Sequence, residues 1–224
     1  MKILALSDIH ENTRLLKSLR KKLEEQGFKP EVTVIAGDIT KFKGVETARK
    51  VLLQVKEYAN TLILFVPGNC DSPELLRVEA LADDIFNIHS RAYELGEYVF
   101  YGIGGGGMSP FYTPIEFSEE DFERFISKAL QYAGKKLILI THQPILGFFD
   151  EVNGARIGSQ VFAEYLNKVK PLIWITGHVH ENRGWTKTGS TYIVHPGPFM
   201  RGYFAILEVR ERDDVVVELE SLTS

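Results

Sequence analysis

A chain of 224 residues with 44% hydrophobic and 25% charged residues is long enough to bury a large core without cross-links. Its formal net charge of −4 gives no electrostatic footprint for bulk nucleic-acid binding, and a lone cysteine, Cys70, excludes an internal disulfide framework. No apolar run approaches the roughly 18 residues of a membrane span, and the first run is broken at Asp8 with no cleavage signal behind it. One cytoplasmic domain over residues 1–224, without a membrane partner, is expected.

In chain order, short apolar strands alternate with amphipathic helices: strand 2–6, helix 13–26, strand 32–36, helix 44–58, strand 62–66 and helix 73–80. Such a βαβαβα run implies parallel strands. From Ile85 to Ile103 the runs tighten, and Arg91 to Leu95 and Tyr98 to Ile103 flank Gly96-Glu97 as a hairpin that opens a second sheet. Helices return at 119–132 and 159–168, behind capping serines Ser118 and Ser159. They lead into strands 137–140 and 172–175. Strands at 183–187, 191–194, 203–210 and 214–219, turning at Gly189-Ser190 and Asp213-Asp214, read as a meander completing the second sheet. Two packed sheets with helices outside are expected.

Seven donors suited to divalent cations stand just beyond five apolar runs. Asp8 and His10 follow Ile3 to Leu6, Asp38 follows Val32 to Ala36, Asn69 follows Leu62 to Val66, His142 follows Leu137 to Ile140, and His178 and His180 follow Leu172 to Ile175. In open α/β sheets, functional residues gather outside the carboxyl ends of strands, so these groups are expected to meet. Alternation along an extended segment would point Asp8 and His10 the same way. Gly37 lets the chain turn so that the Asp38 carboxylate can bridge two ions, and Asp71 or Ser72 caps a helix with Pro73 in its first turn. Gly177-His178-Val179-His180, two imidazoles one residue apart beyond a buried strand, is the most specific block. A lone Asp-x-His or Gly-Asp is commonplace, and the joint occurrence at five strand ends carries the reading.

These blocks resemble the calcineurin-like metallophosphoesterases, whose pattern runs Asp-x-His, Gly-Asp, Gly-Asn-His-Asp or Glu, His, then Gly-His-x-His. The resemblance extends from Asp8 to the strand after His180. It implies a four-layer αββα sandwich of two mixed sheets. It also implies a ligand division, with Asp8, His10 and His180 on one ion, Asn69, His142 and His178 on the other, and Asp38 bridging. Asp38, Asn69, His142 and His10 are then the residues expected to bear most directly on the reaction.

Two divalent ions set against Asp8 and Asp38, with the other ligands neutral, leave a net positive pocket suited to phosphate. The expected reaction is phosphate-ester hydrolysis by in-line attack of a metal-bound hydroxide on a small substrate. Manganese is the favoured metal, and iron, zinc, nickel or cobalt suit the same donors. Loss of activity in mild acid is expected as His142, His178 and His180 protonate. Cys70 stands where relatives have a histidine thought to protonate the leaving group, which favours phosphodiesters over phosphomonoesters. His195, before Pro196-Gly197, is a weaker candidate donor, and His89 reads as structural. A phosphomonoesterase, a nuclease of the same fold and a non-catalytic scaffold are the alternatives, and the small size leaves room for a homodimer. Gly104 to Gly107 lacks the P-loop spacing and reads as a flexible turn beside a loop with Phe111, Tyr112 and Phe117. That loop, with Phe148, Phe149 and Arg156, either shapes substrate entry or packs locally.

Overall fold

The computed structural model describes residues 1–222, and the last two residues of the expected 1–224 domain lie outside them. In chain order the elements are β1 (Lys2–Leu6), α1 (Leu16–Glu25), β2 (Val32–Ala36), α2 (Val45–Ala59), β3 (Leu62–Val66), β4 (Ala80–Ala82), β5 (Ile85–Asn87), β6 (Ala92–Leu95) and β7 (Tyr98–Ile103). The short strands β8 (Gly106–Gly107) and β9 (Glu116–Phe117) precede α3 (Glu119–Ile126) and β10 (Lys136–Thr141). A ribbon of β11 (Glu151–Val152) and β12 (Ala155–Arg156) follows, then α4 (Gln160–Val169), β13 (Ile173–Ile175), β14 (Gly184–Thr188), β15 (Thr191–His195), β16 (Tyr203–Val209) and β17 (Val215–Ser221).

Two large mixed sheets result, ordered β17-β16-β1-β2-β3-β5-β4 and β14-β15-β13-β10-β7-β6. Strands β1, β2 and β3 are mutually parallel, as are β7, β10, β13 and β15. Alternate residues divide between cores. Leu4, Leu6, Ile35 and Phe65 join helix residues such as Leu19 and Leu52, whereas Ile3, Val34 and Leu64 meet Phe100, Ile138 and Ile175 of the second sheet. A third core sets Val99, Leu139 and Trp174 against Phe122 of α3 and Phe162 of α4. Three cores between four layers make the expected αββα sandwich. The inner strands are buried on both faces, which explains their unbroken apolar runs.

The serine caps hold. Ser118 and Asp121 form a reciprocal capping box on α3, and Ser159 Oγ accepts from Phe162 N at 3.2 Å. Three expected helices are shorter. Residues 13–15 form a 3-10 turn before α1, and α3 passes into a 3-10 stretch over 127–132. The expected helix 73–80 is a 3-10 turn over Pro73–Arg77 followed by β4. Asn87 ties this segment down, its amide donating to Leu75 O at 2.6 Å and Val78 O at 2.9 Å.

The final meander is split between the sheets. Strands β14 and β15 enter the second sheet as expected, but β16 and β17 close the first, with β16 antiparallel to β1 (Ile3 opposite Leu207, Ala5 opposite Ala205). The side chains of β16 fill both cores that flank the first sheet. Phe204 and Ile206 fill the helix-side core while Ala205, Leu207 and Val209 fill the inter-sheet core, so this strand needs cover on both faces.

Phe100, fully buried between the sheets, tests that central core. Phe100→Ala is expected to cost about 3–5 kcal/mol in urea unfolding. A loss below about 1 kcal/mol would show that the sheets do not depend on this contact.

Candidate metal centre

The five strand ends reach one edge of the sandwich, where β10 packs across β2 and β3. Side-chain donor atoms of Asp8, His10, Asp38 and His180 all lie within 4.8 Å of one another. His10 Nε2 is 3.5 Å from Asp38 Oδ2, 3.3 Å from His180 Nε2, and His180 Nε2 is 3.2 Å from Asp8 Oδ1. On the other side of Asp38, its Oδ1 is 3.5 Å from His142 Nε2, which is 2.8 Å from Asn69 Oδ1. The His178 ring lies 5.0 Å from that of His142, centroid to centroid. All seven sequence candidates therefore share one patch.

Asp8 and His10 arrive by a route different from the expected extended segment. Both have left-handed backbones (φ 52° and 46°), as do Asp38 (51°) and His178 (77°). The turn after β1 is tied to the turn after β2 by Asp8 N to Gly37 O at 3.0 Å and His10 N to Asp38 O at 2.9 Å. Four non-glycine residues in this conformation store of order 1–3 kcal/mol each, and the interlocked turns hold them there. Gly37 and Gly68 permit that approach, since a side chain on Gly37 would strike the His142 ring and one on Gly68 would strike the Asp38 carboxylate.

Asp71 secures the junction. Its carboxylate accepts from Gly68 N (2.8 Å), Ile39 N (3.1 Å), Thr40 N (2.7 Å) and Thr40 Oγ1 (2.8 Å). It thereby joins the Asp38 and Asn69 turns. The helix-capping alternative falls to Ser72, whose Oγ accepts from Glu74 N. Sequence reasoning left this knot unfound, and the nearness of Asp71 to Gly68 along the chain was its only trace. The glycine run after β7 is packed. Gly105 N donates to Pro67 O at 2.9 Å, Gly106 N to Ile115 O at 3.1 Å and Ile115 N to Asn69 O at 3.2 Å, so the expected flexible turn is a buttress for Asn69.

Electrostatics at the centre call for a cation. Asp8 and Asp38 are buried, and among the described residues their ion-pair partners are histidines alone. Burial opposes the Asp8 charge, but the His180 hydrogen bond, the imidazoles nearby and Ser7 outweigh it and hold Asp8 below the usual carboxylate range. Burial, then the charges of Asp8 and Asp71, push Asp38 well above that range. Two adjacent buried carboxylates cannot both ionise cheaply without positive charge between them, and the carboxylate, imidazole and amide donors here fit a divalent ion. Burial lowers His142 to about 4, His178 to about 3 and His10 below its ordinary value, keeping these rings neutral for coordination. His142 Nδ1 donates to Ala36 O at 2.8 Å, which turns its Nε2 lone pair inward. Among the donor histidines only His180 is raised, chiefly by its hydrogen bond to Asp8.

The remaining candidates resolve as follows. His195 is fully buried, accepts from Gly197 N at 3.1 Å and is lowered to about 4 by burial, which makes it a turn-forming residue. His89 stacks on Phe117, accepts from Gly104 N at 3.0 Å and is likewise structural. Phe148 and Phe149 pack on the third core. Arg156 pairs with Asp150 at 2.8 Å.

The neutral buried histidines generate a stability test for metal-free protein. His89, His142, His178 and His195 sit at about 4, 4, 3 and 4 when folded, below the ordinary value near 6.5. The unfolded chain therefore binds their protons first as pH falls from about 6.5 towards 4, and each costs about 1.4 kcal/mol per pH unit in that window. Asp38, Asp71 and His180, all raised, act in the opposite sense, while His10, lowered, adds to the four. The urea midpoint is expected to drop between pH 6.5 and pH 4.5, and a constant or rising midpoint would contradict the buried neutral histidines.

Comparisons with known proteins give the family and the fold. The calcineurin-like phosphoesterase family model matches residues 1–182. An uncharacterized protein of Methanocaldococcus jannaschii is 31% identical over 211 residues, covering 91% of this chain and 90% of its own. Among solved structures, TT1561 of Thermus thermophilus superposes with a TM-score of 0.75 at 19% identity, covering 99% of this chain and 98% of its own. A structure described as a novel archaeal phosphodiesterase gives 0.51 at 15% identity, covering 98% of this chain and all of its own. With the family model spanning most of its length and the ligand pattern gathered at one sheet edge, this chain belongs to the calcineurin-like phosphoesterase family.

Proposed function

We propose that this protein hydrolyses phosphate esters, phosphodiesters in preference to monoesters, at a centre of two divalent cations. One observation carries the reading. The two oxygens of Asp38 face opposite groups of donors, Oδ2 towards His10 and Oδ1 towards His142, as a bridging carboxylate must. Asp8, His10 and His180 would hold one cation, and Asn69, His142 and His178 the other. When bound, the pair supplies positive charge to phosphoryl oxygens and an activated water for in-line attack. Manganese suits the mixed oxygen and nitrogen donors.

The chain's own residues set the rest. Asn69 adds an oxygen without charge, which keeps the centre net positive and attractive to an anionic ester. Cys70 N donates to Asp38 Oδ1 at 2.8 Å and fixes the carboxylate. Its thiol is pushed far up, first by burial and then by Asp38, and so is a poor proton donor to a departing alkoxide. Esters that leave without such help are the better substrates, and the likeness in fold to a protein described as an archaeal phosphodiesterase supports the same class. No helix is long and apolar enough to cross a membrane among the described residues, and we place the protein in the cytoplasm.

Metal-stripped protein assayed on an aryl phosphodiester and the matching monoester, before and after adding manganese, tests the proposal. Restored activity favouring the diester and two ions per chain are expected, and Asp38→Asn should lower the restored rate at least about a hundredfold. Monoester preference would overturn the substrate class, and no turnover with any divalent metal would overturn the hydrolase reading. Cys70→His is expected to raise monoester relative to diester activity about tenfold or more by supplying a general acid. An unchanged ratio would remove Cys70 from the specificity argument.

A further inference from the structure

Beside the donor cluster lies a cavity of about 370 Å³ whose floor includes Asn69, His178 and His180. One wall is apolar, made by Met108, Pro110, Phe111, Val152 and Ile157. Its other ionisable lining residue is Glu181, and it contains neither Lys nor Arg. The guanidinium next along the chain, Arg156, is engaged by Asp150. We infer that this cavity is the recognition subsite for one uncharged, apolar ester arm of a phosphodiester, an assignment that rests on the hydrolase reading above.

The wall is built in advance of any ligand. Met108 and Phe111 are 70% and 83% exposed, an arrangement that water disfavours and that marks contact surfaces when it adjoins a site. Their loop is held by Glu116, whose carboxylate accepts from Ser109 N, Ser109 Oγ (2.6 Å), Thr113 N (2.9 Å) and Thr113 Oγ1 (2.8 Å). Phe111 N donates in turn to Ser109 Oγ at 3.2 Å. Tyr112 beside it takes a left-handed backbone, φ 51°. A loop knotted this way holds its apolar side chains in place before binding, which lowers the ordering cost of a contact.

The two loops that make this apolar wall are fixed to each other through Gln143, the residue after His142. Its Oε1 accepts from Gly107 N at 2.8 Å, and its Nε2 donates to Ile157 O at 2.5 Å. One side chain thus spans the two loops at the mouth and sets the distance from Ile157 to the Met108 loop. The occupant follows from charge and size. A second anionic group on the substrate would meet Glu181 and no cation, while an apolar arm would cover Met108 and Phe111. The volume is near the lower end for ligand cavities and suits a single ring or short chain.

Competitive inhibition of the manganese-loaded full-length protein by slow diesters tests the subsite with phosphate charge held constant. Diphenyl phosphate is expected to inhibit at least about tenfold more strongly than dimethyl phosphate, and bis(4-carboxyphenyl) phosphate to lose that advantage. Phe111→Ala and Met108→Ala should each narrow the gap. A second readout needs no turnover. With three methionines in the chain, the Met108 methyl resonance of zinc-loaded protein, identified by its absence from Met108→Ala, should shift with diphenyl but not dimethyl phosphate. Hydrolysis with equal inhibition by all three diesters, or a gap untouched in both variants, would overturn the subsite and leave the hydrolase reading standing. If no ester is turned over, the hydrolase reading fails alone, and the methyl titration still decides the subsite.

Discussion

Two carboxylates buried side by side are the constraint on which the rest of this structure depends. Asp8 and Asp38 meet where two sheets end, and among the described residues their ion-pair partners are imidazoles. Burial first, then the charge of Asp8, raises Asp38 and leaves a demand for positive charge that neutral histidines do not meet. The surrounding chemistry is consistent with that demand. Burial keeps His142 and His178 unprotonated, and Asn69 contributes oxygen without adding a third negative charge.

Holding such a cluster together is expensive for the backbone. Four of the seven donors occupy left-handed conformations, and their turns are locked by hydrogen bonds between consecutive strand ends and by the Asp71 carboxylate. The rigid part of the molecule absorbs this strain, because β1, β2 and β3 are buried on both faces. The loops around the adjoining cavity follow another rule. They carry apolar side chains outward and are stiffened by polar knots at Glu116 and Gln143, so rigidity at the mouth comes from hydrogen bonds where the interior relies on packing.

The sandwich and the seven donors were legible in the sequence because each strand is a short apolar run ended by a donor, and strand direction then brings the donors together. The turn that carries Asp8 and His10 was not, since left-handed conformations at Asp and His leave no pattern in composition. Nor was the fate of β16, whose alternating Phe204 to Val209 shows a two-sided burial without naming the sheet. Asp71 and Gln143 were hidden for a related reason. Each acts on backbone groups of segments distant in sequence, and a side chain's reach across a fold cannot be read from its neighbours. The helix expected at 73–80 failed similarly, giving way to a 3-10 turn and β4 in a segment tied to Asn87.

The pairing of β1 with β16 has a consequence for how the molecule comes into being. Strand β1 is made long before its antiparallel partner, which follows some two hundred residues later, and the intervening hydrogen bonds, Phe199 N to Ser7 O and Met200 N to Asp8 O, pin the very turn that bears the first donors. The donors of those bonds lie beyond the span matched by the family model, which stops at residue 182. Contacts so distant in sequence form slowly. The donor cluster is therefore finished only once β16 has left the ribosome, and a nascent chain carries six histidines through the cell before it has a closed place in which to seat an ion.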